Sequence, residues 1–157
     1  MNGLDTAMVL VSKWGMIVPI LCALLTRDRK AIINAVIAFA LTYGITSVLK
    51  TAVARPRPFM VGDAELIGKG PKSWSFPSGH ASSAFTLATS AFLGKRVLGW
   101  IAFISAALIA YSRVYLGVHY WSDIIAGAIL GIAVSYGVEK AMMHFEQRRN
   151  GKKRMKR

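Results

Sequence analysis

The sequence predicts an all-α fold, a polytopic transmembrane helix bundle of about five spanning helices. Of the 157 residues, 54% are hydrophobic and the mean hydropathy is positive, which is too apolar for an ordinary soluble domain. The apolar residues also fall in runs that approach the roughly 20 residues a membrane helix needs. The length suits one transmembrane domain, residues 1–147, followed by a basic tail, residues 148–157.

The five predicted segments follow one another along the chain. They comprise residues 4–25, 31–49, 78–93, 97–111 and 121–143. The first contains Asp5 and Lys13, so residues 2–12 either span the bilayer or lie on its interface. The third reaches only about 24 Å at 1.5 Å per residue, so Lys95 and Arg96 are expected to extend their side chains to the interface. A polar loop, residues 50–76, precedes the third segment.

The net charge of +13 fits a nucleic-acid binder or a membrane protein with basic cytoplasmic ends. The largest basic cluster, residues 148–157, directly follows an apolar run, which favours the membrane protein and predicts no nucleic-acid partner. If all five segments span, thirteen of the 20 Lys and Arg residues lie on one side. We therefore expect that side to face the cytoplasm, with the protein in the cytoplasmic (inner) membrane and the tail inside.

Three polar clusters fall on the opposite side, facing the outside or the periplasm. They read KTAVARPRP (50–58), FPSGH (76–80) and SRVYLGVHYWSD (112–123). The clusters contribute Lys50, Arg57 and Arg113, and three cations at the edge of hydrocarbon suit a phosphate group. Ser78 and Gly79 open a helix whose free N–H groups and dipole favour an anion. These five residues are the predicted phosphate-binding residues.

Two histidines and an aspartate supply the chemistry. Histidine titrates near neutrality, which suits His80 and His119 for proton transfer and nucleophilic attack. Asp123 lies four residues after His119, one helical turn away, where a carboxylate holds one ring nitrogen and leaves the other free to attack. His80 then protonates the leaving oxygen. The predicted catalytic residues are therefore His119, His80 and Asp123.

Other polar residues receive plainer interpretations. The single cysteine, Cys22, excludes an intrachain disulfide and a cysteine-based metal site. His144 is interpreted as an interfacial polar residue. For Arg55, contact with a lipid headgroup and no role at all both stay open. A further polar face is expected to serve helix packing; it consists of Ser82, Ser83 and Thr86.

The three clusters closely resemble the signature motifs of the type 2 phosphatidic acid phosphatase superfamily, K-x6-R-P, P-S-G-H and S-R-x5-H-x3-D. The resemblance covers residues 31–137 and implies a phosphohistidine on His119, an orienting Asp123 and a general acid at His80. It implies a phosphate cradle of Lys50, Arg57, Ser78, Gly79 and Arg113, and neither a metal nor a cofactor. Membrane members commonly have six spans, so one N-terminal helix of the usual set is missing from the predicted five.

The favoured function is a lipid phosphatase acting on a phosphomonoester or diphosphate within the bilayer. Candidate substrates are undecaprenyl diphosphate, phosphatidylglycerol phosphate and the 1-phosphate of lipid A. A phosphotransferase that passes the phosphate to a lipid or sugar acceptor uses the same residues and stays open. A non-catalytic anion-binding or channel module is disfavoured, because such a module needs no paired His and Asp. Haloperoxidase chemistry is disfavoured as well, because that related branch is soluble and this apolar chain is not. The sequence leaves the oligomeric state open.

Overall fold

The computed structural model describes residues 2–154, with side chains described up to residue 151. Within these residues the regular structure is helical throughout, as predicted. The seven helices are α1 (Gly3–Trp14), α2 (Ile17–Leu25), α3 (Arg29–Val53), α4 (Pro58–Val61), α5 (Gly79–Gly94), α6 (Arg96–Tyr115) and α7 (Trp121–Arg154). Residues 155–157 of the predicted tail lie outside the described residues, whereas residues 148–154 continue α7 rather than forming a separate segment.

Helix α5 lies at the centre of the bundle, packed against α3, α6 and α7. Its buried face consists of small and hydroxylated residues such as Ala84, Ala88 and Ala91, which allow neighbouring backbones to approach closely. Helix α7 approaches it through Gly127 and Gly131. A Cβ on Gly127 would lie 2.7 Å from the carbonyl oxygen of Ser78, so the contact requires glycine.

Three stretches within residues 2–154 are long and apolar enough to cross a membrane: Arg29–Val61, Arg96–Tyr115 and Trp121–Gly151. Helices α1 and α2 supply a fourth if the bent pair counts as one span. Helix α5, with 16 residues, is the short segment predicted from the sequence. Large apolar side chains point outward from the long helices, as at Val36 (67% exposed) and Ile104 (64%), where lipid would contact them.

The first predicted segment is broken rather than continuous. Helices α1 and α2 meet at 43°. Pro19 has no N–H for the carbonyl of Gly15 four residues earlier, and that carbonyl instead accepts from Val18 N–H at 3.2 Å and from Ser105 Oγ at 3.4 Å. A Cβ on Gly15 would lie 2.8 Å from Ile109, so α6 packs directly against the bend.

The basic segments predicted to be cytoplasmic do gather at one end of the bundle. Lys30, at the start of α3, forms an ion pair of 2.7 Å with Glu146 near the end of α7. At the same end, a Cβ on Gly94 would lie 2.6 Å from Ala31, which brings the turn between α5 and α6 against the start of α3. The opposite end therefore holds the three signature clusters.

Hydroxyl groups of α5 bond across the interior to α3 and α7. Thr46 and Ser82 lie 3.1 Å apart at their hydroxyls, and Ser90 Oγ donates to Asn34 Oδ1 at 2.7 Å. The polar face of α5 therefore serves helix packing, as predicted for Ser82 and Thr86. Ser82 and Ser83 also border the cavity described below.

Candidate active site

The centre of the site is Arg57, whose side chain is 2% exposed. Its guanidinium donates to the carbonyl oxygens of Val118 at 2.7 Å, Ser73 at 2.6 Å and Trp74 at 3.0 Å. Its Nη1 also lies 3.1 Å from Nε2 of His119. Carbonyl groups on two loops therefore hold the Arg57 fork in place and direct it at the imidazole.

His119 and Asp123 are paired, although not on one helix as the sequence suggested. His119 lies in the turn before α7, and Asp123 is in the first turn of that helix. His119 Nδ1 is nevertheless 3.3 Å from Asp123 Oδ2, because the carboxylate folds back to accept the N–H of Tyr120 at 3.0 Å. A side chain at the third helical position that bonds the residue before the helix is half of a capping box.

The contacts of the His119 ring with Arg57 and Asp123 are both satisfied by one neutral tautomer. The proton resides on Nδ1 and is donated to Asp123, while the lone pair of Nε2 accepts from Arg57. In this tautomer the lone pair of Nε2 faces the Arg57 guanidinium. Burial lowers the pKa of His119 to about 4; the charges of Arg57, Arg113 and Lys50 add to this, and the hydrogen bond to Asp123 opposes it. The ring is neutral at physiological pH.

Asp123 has two further partners that sequence reasoning missed. Ser75 donates its hydroxyl to Oδ2, and Arg55 donates to Oδ1 at 3.0 Å. The Arg55 guanidinium also lies over the ring of Tyr120, 3.9 Å from the centroid. The interpretation that Arg55 does nothing is therefore wrong, because it pairs with the carboxylate behind His119; its contact with a lipid headgroup stays a prediction. The position of Arg55 within KTAVARPRP was the available signal, whereas Ser75 carried none.

The start of α5 is where the sequence predicts an anion site. The Ser78 side chain caps the helix by accepting the N–H of Ala81 at 3.4 Å, and the Ser78 N–H donates to the carbonyl of Asp123 at 3.0 Å. That bond ties the start of α5 to the start of α7. Gly79 and His80 occupy the first two positions of α5, where backbone N–H groups have no intrahelical partner.

Lys50 and Arg113 complete the set of cations. Lys50 lies in the last turn of α3 rather than in a loop, since α3 continues to Val53. Its ammonium donates to the carbonyls of Trp74 at 2.7 Å and Ser75 at 3.2 Å. Arg113, in the last turn of α6, donates to the hydroxyl of Ser12. Its Nε is buried and has no partner within the described residues.

Comparison with known proteins decides the family. The sequence matches the profile of the PAP2 superfamily over residues 31–149. The chain belongs to the PAP2 superfamily. The resemblance seen in the three motifs is confirmed, and with it the prediction that the protein is a phosphatase, a hydrolase acting on phosphoric esters.

Named relatives of this PAP2 protein include membrane lipid phosphatases. The chain is 39% identical to "Undecaprenyl-diphosphatase" of Sulfolobus acidocaldarius, over 87% of this chain and 68% of that one. It is 30% identical to "Lipid A 4'-phosphatase" of Porphyromonas gingivalis, over 78% of this chain and 56% of that one. The chain thus spans about half to two thirds of these relatives. Its apolar helices and these homologues make it an integral membrane protein.

Two solved structures share the fold. Aquifex aeolicus LpxE superposes with a TM-score of 0.76 at 32% identity, covering 89% of this chain and 88% of that one. The Bacillus subtilis PAP2-type phosphatidylglycerolphosphate phosphatase superposes with a TM-score of 0.72 at 23% identity, covering 92% and 79%. At this identity, the similarity to the Bacillus subtilis structure supports a shared fold and nothing further.

Within residues 2–154 of this PAP2 protein, no cluster of three or more His, Cys, Asp or Glu side chains is arranged to hold a metal ion.

The ring of His80 borders two separate cavities in this PAP2 protein. One, of about 590 Å³, lies between α2, α3 and the start of α5 and also borders Lys50, Phe39 and Tyr43. The other, of about 480 Å³, lies toward α1 and also borders Arg113. The structure therefore brings His119 into direct contact with both Arg57 and Asp123, and His80 borders one cavity beside Lys50 and another beside Arg113.

Proposed function

We propose that the protein is a membrane lipid phosphatase that cleaves a phosphomonoester or diphosphate through a phosphohistidine on His119. The observation that carries this proposal is the His119 ring. Its Nδ1 is backed by a buried carboxylate, and its Nε2 faces the Arg57 guanidinium. A buried neutral imidazole beside three cations matches what an incoming phosphate needs.

In the proposed first step, Nε2 of His119 attacks phosphorus and the bond from phosphorus to the lipid oxygen breaks. That oxygen leaves with the bonding electrons and takes a proton from His80. Asp123 stabilises the imidazole as positive charge develops on it. In the second step water attacks the phosphohistidine, its proton returns to His80, and inorganic phosphate leaves. The cradle of Lys50, Arg57 and Arg113, with the N–H groups that begin α5, holds the phosphoryl oxygens.

A groove between α2 and α3 supports a lipid as the substrate. The 590 Å³ cavity beside Lys50 and His80 is bordered by Ile20 and Phe39. The same two residues border a second, almost wholly apolar cavity of about 420 Å³ further along the helices. Together the two cavities form an apolar path from the cationic site along the bilayer-facing side of the bundle, which suits a hydrocarbon tail entering sideways.

The charge distribution supports a site on the non-cytoplasmic face. The basic segments around Lys30 and Arg96 gather at the end opposite the site, and the positive-inside rule assigns such an end to the cytoplasm. The cations at the site end that break this rule include the three proposed to bind phosphate. An impermeant reagent that labels a cysteine introduced at Lys72 from the outside supports this orientation, and labelling only from the inside contradicts it.

The function is tested by phosphate release from a panel of lipid phosphates, using purified protein in detergent with a chelator present. We expect wild-type turnover and inhibition by vanadate. His119→Ala should lose several orders of magnitude in rate, since the covalent route disappears. His144→Ala is the matched control, because that histidine is exposed on α7 far along the helix. Turnover by His119→Ala at the wild-type rate would contradict the mechanism.

A further inference from the structure

The cavity on the α1 side of His80 is unusually cationic. It has a volume of about 480 Å³ and borders Lys13 of α1, Lys69 of the loop before α5, and Arg113 of α6. Among the described residues that line it, none is acidic. The proposed cradle around Arg57 and His119 already accounts for one phosphate, and neither Lys13 nor Lys69 belongs to that cradle.

Arg113 connects this cavity to the cradle. Its side chain is 8% exposed, and its Nε is buried without a partner among the described residues. A buried guanidinium N–H that lacks an acceptor is costly. Arg113 also lines the cavity beside His80, so an anion placed there would lie against the positive charge of this guanidinium.

Two exposed lysines border this cavity beside Arg113. Lys13 lies in the last turn of α1, directly after Ser12, which accepts from Arg113, and Lys69 lies in the loop before α5. Both side chains are exposed and reach the same cavity from separate elements. An anion in the cavity would therefore meet positive charge from both.

We propose that this cavity binds the second phosphate of a lipid diphosphate, the one attached to the lipid, while the terminal phosphate occupies the cradle at His119. This inference rests on the proposed function and identifies its substrate class. The two phosphates of a diphosphate share one bridging oxygen, and His80 borders both this cavity and the one beside Lys50. With a phosphate on each side, the bridging oxygen would therefore lie near the acid proposed to protonate it. A monophosphate leaves the cavity unused.

The reaction balances as a single displacement followed by hydrolysis. Nε2 of His119 bonds to the terminal phosphorus, and the bond from that phosphorus to the bridging oxygen breaks. The bridging oxygen keeps the electron pair, takes the proton from His80 and leaves as part of a lipid monophosphate. Lys13, Lys69 and Arg113 neutralise the charge that this leaving group gains. Water then releases inorganic phosphate from His119.

The test compares an isoprenyl diphosphate with the isoprenyl monophosphate of the same tail, so that only the second phosphate differs. Lys13→Ala and Lys69→Ala should each lower kcat/KM on the diphosphate by about fivefold or more, as expected for loss of a charged contact. On the monophosphate the change should stay within about twofold, and Lys13→Arg should restore diphosphate activity. Lys72→Ala is the matched control, since Lys72 lies in the same loop but does not line the cavity.

Equal losses on both substrates would overturn the inference, because they would indicate a general effect on folding or phosphate exit. Unchanged diphosphate activity in the Lys13→Ala, Lys69→Ala double variant would overturn it as well. Binding of methylenediphosphonate, which is not hydrolysed at its bridge, gives an independent reading and should weaken in the double variant while phosphate binding does not. If the wild-type protein turns over neither lipid, the proposed function fails, and this binding measurement still decides the inference.

Discussion

Replacement of Gly131 by alanine tests whether the close contact between α5 and α7 aligns the site. A Cβ at this position would come within 3.0 Å of the Ser82 carbonyl oxygen and lie 2.9 Å from the Thr86 nitrogen, whereas ordinary contact begins at 3.4 Å. Both atoms belong to the backbone of α5, so rotation of a side chain alone cannot relieve these contacts. The two helices must therefore separate by roughly 0.5–1 Å.

That separation acts directly on the chemistry. Helix α7 carries Asp123 and follows His119, while α5 carries the cradle N–H groups and His80. A misplacement of about 1 Å in an active site can cost about 100-fold in rate. The overpacking also costs about 1–3 kcal/mol of stability, partly offset by roughly 1 kcal/mol from the better helix propensity of alanine.

The assay is kcat/KM for phosphate release, measured together with the thermal unfolding temperature in the same detergent. Two other glycines of α7 make a graded series. Gly127→Ala would place its Cβ 2.7 Å from the Ser78 carbonyl, and Gly137→Ala meets nothing within 4 Å. We expect near wild-type activity for Gly137→Ala and large losses for the other two. Activity of Gly131→Ala within twofold of the Gly137→Ala control would refute the reasoning.

Three further predictions concern the groups around His119. Asp123→Asn should lower kcat by about 10³–10⁴-fold with little change in KM, because the amide presents the wrong partner to Nδ1; a loss below tenfold would contradict the assigned tautomer. Arg55→Gln should lower kcat about tenfold, with partial recovery in Arg55→Lys, since the half-exposed cation stabilises the Asp123 carboxylate; equal activity of Gln and wild type would show that the ion pair has no role. The third prediction is a pH profile. His119 must be neutral to attack, and burial lowers its pKa to about 4, so the acid limb of kcat/KM should lie near pH 4. An acid limb near the ordinary value of 6.5 would contradict the buried neutral ring.

Much of the site was predictable because its residues belong to short sequence motifs. Arg57, Arg113 and His119 belong to residue patterns with fixed spacings, and residues distant in sequence were expected to meet because each motif lies at the same end of its helix. The error about His119 shows the limit of such reasoning. Its spacing to Asp123 suggested one helical turn, yet the helix begins after His119 and the pair is joined by a side chain that folds back.

The long apolar runs were also predictable, but their exact form was not. The bend at Gly15 depends on Pro19 and on α6 packing against it, so the sequence of the first segment alone did not reveal it. Helix α5 is shorter than a membrane span and is nonetheless central, because its small side chains allow three neighbours to approach. Whether such a helix forms at all is settled by those neighbours.

By itself the sequence determined that this protein is helical and lies in a membrane, and it predicted a phosphate-binding set of cations and histidines. Those properties follow from composition and from residues near one another in the chain. The tertiary structure alone decided that Arg55 and Ser75 hold Asp123, that α7 touches α5 through glycine, and that His80 borders two cavities, one beside Lys50 and one beside Arg113. Such pairings join residues tens of positions apart, and they depend on many weak packing contacts summed over the whole bundle, which no local pattern encodes.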